Sequence, residues 1–204
     1  MRALPRLWLC ADLGLIPPIE LIARVANALR AGPALVWLRF PQGSRARSVL
    51  DTAAALRRVT AGHGALLLVG DRADVALASD ADGVHLTEQS LLPGDARRFA
   101  RRDLIVSCAV HDEAGVQRAA GADAIVVSPF ASVPGKGAPR GAEGFARLRG
   151  LAPDTFAVAL GGIADAAVTR EAIAAGANAV AVRRVLSDAD PSARCAELLA
   201  GCGW

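Results

Sequence analysis

The sequence predicts a single-domain (β/α)8 barrel, and three observations lead to that prediction. Short apolar runs alternate with helical stretches from one end of the 204-residue chain to the other, which is typical of a parallel sheet covered by helices. The apolar runs number eight. No G-x-G-x-x-G follows the first run, which favours a closed barrel over an open, doubly wound sheet. We therefore expect residues 1–204 to form one domain.

The predicted strands are rich in Ala, Val, Leu and Ile, as suits strands that are covered on both faces. In chain order they are Leu7–Ala11, Ala34–Phe40, Ala65–Val69, Gly83–Leu86, Leu104–Val110, Ala124–Ser128, Phe156–Leu160 and Ala179–Val182. Apolar residues at helical spacing predict a helix over residues 44–61. A weaker helix is expected over 113–120, and another over 165–175.

Composition narrows the classes of function. The net charge is +3 and the pI about 9.0, with charges dispersed along the chain and no tyrosine that could stack on bases. This balance indicates a small anionic ligand rather than nucleic acid. No segment reaches the ~18 apolar residues that span a membrane, so we expect no membrane partner and a cytoplasmic location. Whether identical chains associate is left open.

The last two predicted strands end in residues suited to an anion. Gly161 and Gly162 follow strand seven, where a bare backbone can approach an oxyanion and offer N–H groups. The helix that follows would add its positive end. Arg183 and Arg184 follow strand eight, and one of them should face inward because neighbours on a strand point opposite ways. Phosphate commonly binds at this position in barrels; a tight turn without a ligand is the alternative.

Two histidines end predicted strands. His111 ends strand five, where an imidazole can exchange protons near neutral pH, although a packing role is equally compatible with the sequence. His85 closes strand four, where a buried, hydrogen-bonded role is favoured.

Other candidate pocket residues surround the same mouth. Trp37 could form the floor for a flat heterocycle. Arg39 and Asp71, at the ends of strands two and three, could bind a ligand or pair with each other. Lys136 lies in a Gly- and Pro-rich stretch, residues 132–142, that is either a lid or an ordinary surface loop. Isolated carboxylates are a weak magnesium signal, so no metal site is predicted.

Taken together, these segments resemble the thiamine phosphate synthase/TenI superfamily. The resemblance is carried by motifs in family order: Asp82-Gly-Val-His-Leu86, Pro129, Lys136, Gly161-Gly-Ile163 and the run from Gly176 to Val182. It implies a barrel that acts on a phosphorylated thiazole.

Departures from the family pattern are concentrated at the strand ends. Synthases of this family typically carry Gln-x-Arg-x-Lys at strand two, Asn-Asp after strand three, a second magnesium carboxylate after strand four and a serine after strand eight. The corresponding residues here are Trp37, Arg39 and Pro41, then Gly70 and Asp71, then Ser90, and finally Arg184.

The resemblance with these departures implies a TenI-like thiazole tautomerase, in which His111 would move the proton. Such an enzyme needs no cofactor. A thiamine phosphate synthase with an altered site, which would need magnesium, is the first alternative. A non-catalytic protein that binds a phosphorylated ligand is the second.

Overall fold

The computed structural model describes residues 3–100 and 103–203 and contains a closed barrel of eight parallel strands, each paired with its neighbours in chain order. The (β/α)8 fold class is confirmed. The strands are β1 (Leu7–Asp12), β2 (Leu35–Arg39), β3 (Leu66–Gly70), β4 (Gly83–Leu86), β5 (Ile105–Val110), β6 (Ala124–Val127), β7 (Phe156–Leu160) and β8 (Ala179–Val182).

A helix follows each strand and covers the outside of the barrel. These helices are α1 (Pro18–Ala28), α2 (Ala46–Gly62), α3 (Ala73–Ala78), α4 (Pro93–Ala100), α5 (Glu113–Arg118), α6 (Gly141–Gly150), α7 (Ala166–Ala174) and α8 (Pro191–Gly201). Short 3₁₀ turns cover Leu29–Ala31 and Arg184–Ser187. No helix in the described part of the chain is both long and apolar enough to cross a membrane.

All eight predicted strands are present. The bounds of β4, β7 and β8 are as predicted, and the other five differ by one residue at one or both ends. The helix predicted over 44–61 is α2, and the shorter ones predicted over 113–120 and 165–175 are α5 and α7. Apolar runs located the strands because both of their faces are buried, and apolar residues at helical spacing located the helices because each helix buries one face against the barrel.

The interior of the barrel is filled by alternate strand residues. The larger side chains of this inner cluster come from β1–β3 and the smaller ones from β6–β8; its members are Trp8, Cys10, Leu35, Trp37, Leu66, Leu68, Ala124, Val126, Val158, Ala179 and Ala181. Because inward positions repeat every second residue, the next inward positions toward the C-terminal mouth are Asp12, Arg39, Gly70, His85, His111, Ser128, Gly162 and Arg183. The fold thus gathers most of the candidate residues at one end of the barrel.

Candidate functional site at the barrel mouth

A buried carboxylate at the end of β1 holds two arginines at the mouth. Asp12 is 1% exposed, and its Oδ1 accepts the Gly14 N–H at 2.8 Å. Its Oδ2 accepts from Arg183 Nε at 2.6 Å and Nη2 at 2.5 Å, and also from Arg39 Nη1. The Arg39 and Arg183 side chains remain 47% and 40% exposed. One carboxylate is paired with two guanidinium groups, so the net charge of the rim is positive. The guanidinium groups also have more N–H donors than Asp12 accepts from.

Arg183 and Arg184 occupy different environments. Arg183 continues the inward alternation of β8 and binds Asp12. Arg184 is exposed and begins the 3₁₀ turn that follows. Of this pair, Arg183 is therefore the residue that can reach a ligand at the mouth.

Asp71 does not pair with Arg39, so of the two alternatives for these residues the mutual ion pair is absent from the described contacts. Arg39 is engaged by Asp12, which lies directly opposite it in the β1–β2 register. Asp71 instead links the ends of β3 and β4: its Oδ1 accepts the Thr87 N–H at 2.7 Å, and its own N–H donates to the His85 carbonyl at 2.8 Å. Asp71 is exposed.

The glycine pair after β7 packs tightly against the loop that follows β6. Gly161 and Gly162 have φ angles of +99° and +71°. A Cβ on Gly162 would lie 2.6 Å from the carbonyl carbon of Ala131, and the Ala131 N–H donates to the Gly161 carbonyl at 2.8 Å. Packing alone thus requires glycine here. The Gly161 N–H belongs to the β7–β8 ladder at Leu160 and Ala181, whereas the Gly162 N–H makes no turn or loop bond to the backbone of the described residues and can bond an anion.

The positive end of α7 is not available to a ligand, contrary to expectation. Asp165 caps this helix, and its Oδ1 accepts the N–H groups of Ala167 at 2.8 Å and Val168 at 2.9 Å. Glu197 accepts the Ala166 N–H at 3.4 Å. Two carboxylates therefore already use the helix N-terminus. An anion here must rely on the glycine backbone and on arginine.

His111 is held at the mouth by the end of β6. Its Nδ1 lies 2.9 Å from the Ser128 carbonyl, which also accepts from Arg140 Nε at 3.3 Å. A carbonyl accepts only, so Nδ1 carries the proton and Nε2 keeps a lone pair. This is the orientation that a general acid or base requires. The neighbouring Asp112 points elsewhere and caps α5 through the Gly115 N–H.

Trp37 and His85 form a closed layer of the interior. Their ring centroids are 3.8 Å apart, and His85 Nδ1 lies 2.8 Å from Ser107 Oγ. His85 is 1% exposed and Trp37 6%. Burial lowers the pKa of His85 to about 3, so the ring is neutral at physiological pH. His85, also a candidate substrate-pocket residue, has the buried, hydrogen-bonded environment that its position in the sequence favoured: it packs on Trp37 and is closed to solvent.

We predict that neutral His85 makes the fold sensitive to acid. Its pKa falls from 6.5 to about 3 on folding, so the unfolded chain binds a proton between those values and the folded chain does not. Stability is therefore complete above pH 6.5 and falls by roughly 1.4 kcal/mol per pH unit below it. Urea unfolding at pH 7 and pH 5 measures this slope. His85→Gln, which can still bond Ser107, should have the shallower slope; equal slopes would contradict the prediction.

Lys136 is exposed on the loop between β6 and α6. Both ends of the loop are fixed, since the Ala131 N–H donates to Gly161 and the Arg140 N–H donates to the Pro129 carbonyl at 2.9 Å. Residues 134–139 between these anchors are all exposed. Lys136 therefore lies on the segment that could approach a ligand, beside the glycine pair.

The described residues provide few side-chain ligands for a metal ion. Nowhere among them do three His, Cys, Asp or Glu side chains come together as a metal site. Asp12 has its acceptor oxygens occupied by Gly14 and the two arginines. Asp71, by contrast, is exposed. Since Mg²⁺ commonly uses one or two carboxylates together with substrate phosphates, this set fits magnesium only if the ligand supplies most of the oxygens.

Comparison with known proteins decides the family. The family model described as thiamine monophosphate synthase matches residues 7–186. The chain belongs to this family. The thiamine-phosphate synthase of Methanoculleus marisnigri is 37% identical over 182 residues, covering 87% of this chain and 84% of the relative. That of Gloeobacter violaceus is 40% identical and longer, so that the match covers 87% of this chain and 52% of the relative.

A solved structure agrees with these sequence matches. Thiamine phosphate pyrophosphorylase from Pyrococcus furiosus superposes with a TM-score of 0.83 at 27% identity, covering 97% of this chain and 95% of that one. The match supports a place in thiamine biosynthesis. The relatives named here are synthases, so the comparisons do not support the TenI-like tautomerase that the departures at the mouth had favoured.

Proposed function

We propose that this member of the thiamine monophosphate synthase family joins a pyrimidine diphosphate to a phosphorylated thiazole. In that reaction the thiazole nitrogen forms a bond to the pyrimidine methylene carbon, and the bond from that carbon to the diphosphate oxygen breaks. The products are thiamine phosphate and pyrophosphate. The observation that carries the proposal is the rim of Gly161, Gly162 and Arg183, in a chain that matches the synthase model over 7–186.

The thiazole phosphate would bind between β7 and β8. The backbone at Gly161 and the N–H of Gly162 can approach its oxygens, and Arg183 supplies the opposing charge. The leaving diphosphate would bind toward β2, where Arg39 keeps guanidinium donors that Asp12 does not use. The order β7, β8, β1, β2 around the barrel makes these two groups parts of one continuous basic rim.

Magnesium, when bound, would neutralise charge on the leaving diphosphate, and Asp71 is the residue that would hold it. Because Asp71 offers a single carboxylate, the diphosphate itself must supply most of the remaining oxygen ligands.

A thiazole tautomerase is the second candidate, and His111 favours it. The ring is oriented by Ser128 and keeps Nε2 available, which is what a proton transfer on a thiazole needs. That reaction requires a phosphate-binding site and an acid or base, but it uses no diphosphate.

Product analysis of the purified protein separates the candidates. With pyrimidine diphosphate and thiazole phosphate, we expect thiamine phosphate and pyrophosphate in equal amounts, lost on adding EDTA and restored by Mg²⁺. Aromatisation of a thiazole carboxylate phosphate, unaffected by EDTA, would instead establish the tautomerase. Ligand binding without either reaction would overturn both and leave a non-catalytic binding protein.

A further inference from the structure

Asp12 is a buried carboxylate that is shared by two arginines at the mouth. Its side chain is 1% exposed, and its Oδ1 accepts the Gly14 N–H at 2.8 Å. Its Oδ2 accepts from Arg39 and, at 2.6 and 2.5 Å, from Nε and Nη2 of Arg183. Among the described residues, neither arginine side chain has another hydrogen-bond or ion-pair partner. One oxygen atom therefore joins two cations that come from the ends of β2 and β8.

The barrel interior next to Asp12 is apolar. Cys10 is the preceding inward residue of β1, and it lies in the same cluster as Trp8 and Trp37. Burial, with the charge of Asp12 as a smaller cause, raises the pKa of the Cys10 thiol to about 12, so the thiol is uncharged at physiological pH. A buried charge that loses its partner is strongly destabilising. Asp12 therefore depends on the two arginines for its counter-charge.

This dependence makes the charge that each arginine presents at the rim depend on the other arginine. With both present, the single negative charge of Asp12 is divided between two guanidinium groups, and both groups are partly exposed. If Arg39 is lost, Asp12 is left with Arg183 alone. The whole charge of the carboxylate then acts on one guanidinium, which is neutralised and held back from the rim. Losing Arg183 has the same consequence for Arg39.

We propose that Asp12 is a positioning residue that couples two anion sites, so that each site needs both arginines for its full affinity. The inference rests on the proposed synthase function, in which the thiazole phosphate binds at Arg183 and the diphosphate at Arg39. Asp12 itself contacts neither ligand. It acts only through the two guanidinium groups that share its Oδ2.

Calorimetry with thiazole phosphate, arranged as a double-mutant cycle, tests the coupling. Arg39→Gln should weaken binding about three- to tenfold, because Asp12 then neutralises Arg183. Arg184→Gln is the matched control: it removes the same charge from the exposed neighbour of Arg183 and leaves Asp12 with both partners, so the affinity should not change. In an Asp12→Asn protein, whose amide oxygen can still accept the Gly14 N–H, Arg39→Gln should weaken binding less than about twofold.

The reciprocal measurement uses pyrophosphate and requires no substitution of Asp12. Arg183→Gln should weaken pyrophosphate binding at Arg39 about three- to tenfold, whereas Arg184→Gln should not weaken it. Equal effects of these two substitutions would refute the coupling, whether or not the Asp12→Asn protein folds. Melting temperatures establish that each variant is folded.

Two results with thiazole phosphate would also overturn the inference. If Arg39→Gln binds it as tightly as the parent does, the two sites are independent. If the loss is equally large in the Asp12→Asn protein, Arg39 contacts the ligand directly and Asp12 couples nothing. Binding of both compounds by independent arginines refutes the coupling alone. If the unmodified protein binds neither compound, the proposed synthase function fails, and the coupling fails with it.

Discussion

Replacing His111 with glutamine is expected to slow tautomerisation of a phosphorylated thiazole, the second candidate reaction, by about 10²–10⁴-fold, the usual contribution of general acid–base catalysis. The Ser128 carbonyl fixes the ring through Nδ1–H at 2.9 Å, which leaves Nε2 to exchange a proton with the ligand. Glutamine can keep a hydrogen bond to Ser128 but cannot exchange a proton. The affinity of the variant for thiazole phosphate should change little, because the phosphate would bind at the ends of β7 and β8, away from the substituted side chain. Single-turnover kinetics and calorimetry measure the two effects separately.

His63 provides the matched control for this substitution. It is exposed at the end of α2 and lies 2.9 Å from the Val59 carbonyl, outside the mouth. His63→Gln should retain full turnover. A His111→Gln protein that turns over within a few-fold of the parent would remove His111 from the mechanism, and one that does not fold would assign it a structural role.

Replacing Gly162 with valine is expected to abolish phosphate binding and also to destabilise the fold. The φ angle of +71° and the 2.6 Å approach to the Ala131 carbonyl carbon leave no room for a β-branched side chain. We expect a loss of at least about 2 kcal/mol in unfolding free energy from backbone strain and overpacking. Urea unfolding measures the loss of stability, and calorimetry with thiazole phosphate measures the loss of binding.

Gly162 is needed for packing as well as for binding. Substitutions of Arg183 and Arg184 therefore measure the loss of phosphate binding separately from the loss of stability. Arg183→Gln removes the inward guanidinium and leaves the turn after β7 intact. It should weaken thiazole phosphate binding about tenfold, as expected for hydrogen bonds to a charged group. Arg184→Gln changes the exposed neighbour and should have no effect. Equal effects from the two variants would contradict the assignment of Arg183 to the site.

The sequence predicted the positions at the mouth because strand order and alternation determine them. Eight apolar runs predict a barrel whose strands all end at the same mouth. Because side-chain direction alternates along a strand, His111 and one of the two arginines are then predicted to point inward. The Asp12 cluster was beyond reach. The predicted closed barrel already places β1 between β2 and β8, but which side chains bond one another at the mouth depends on rotamers that strand alternation does not give.

Tertiary contacts from distant parts of the chain also explain the other failures. Glu197, which meets the start of α7, lies 31 residues further along the chain. The Ser128 carbonyl that orients His111 is a backbone group, which no pattern of side chains reveals. The reaction was mispredicted for a different reason: a few unusual residues at the strand ends favoured a tautomerase, whereas identity to synthases is spread over the whole barrel.

The central claim is that this barrel binds its thiazole ligand through the phosphate, at the rim of Gly161, Gly162 and Arg183. Titration calorimetry with thiazole phosphate and with the same thiazole as its free alcohol tests it directly. The phosphate should account for most of the affinity, so the alcohol should bind at least about a hundredfold more weakly, the worth of two or more charge-assisted hydrogen bonds. Equal affinities for the two compounds would contradict the claim.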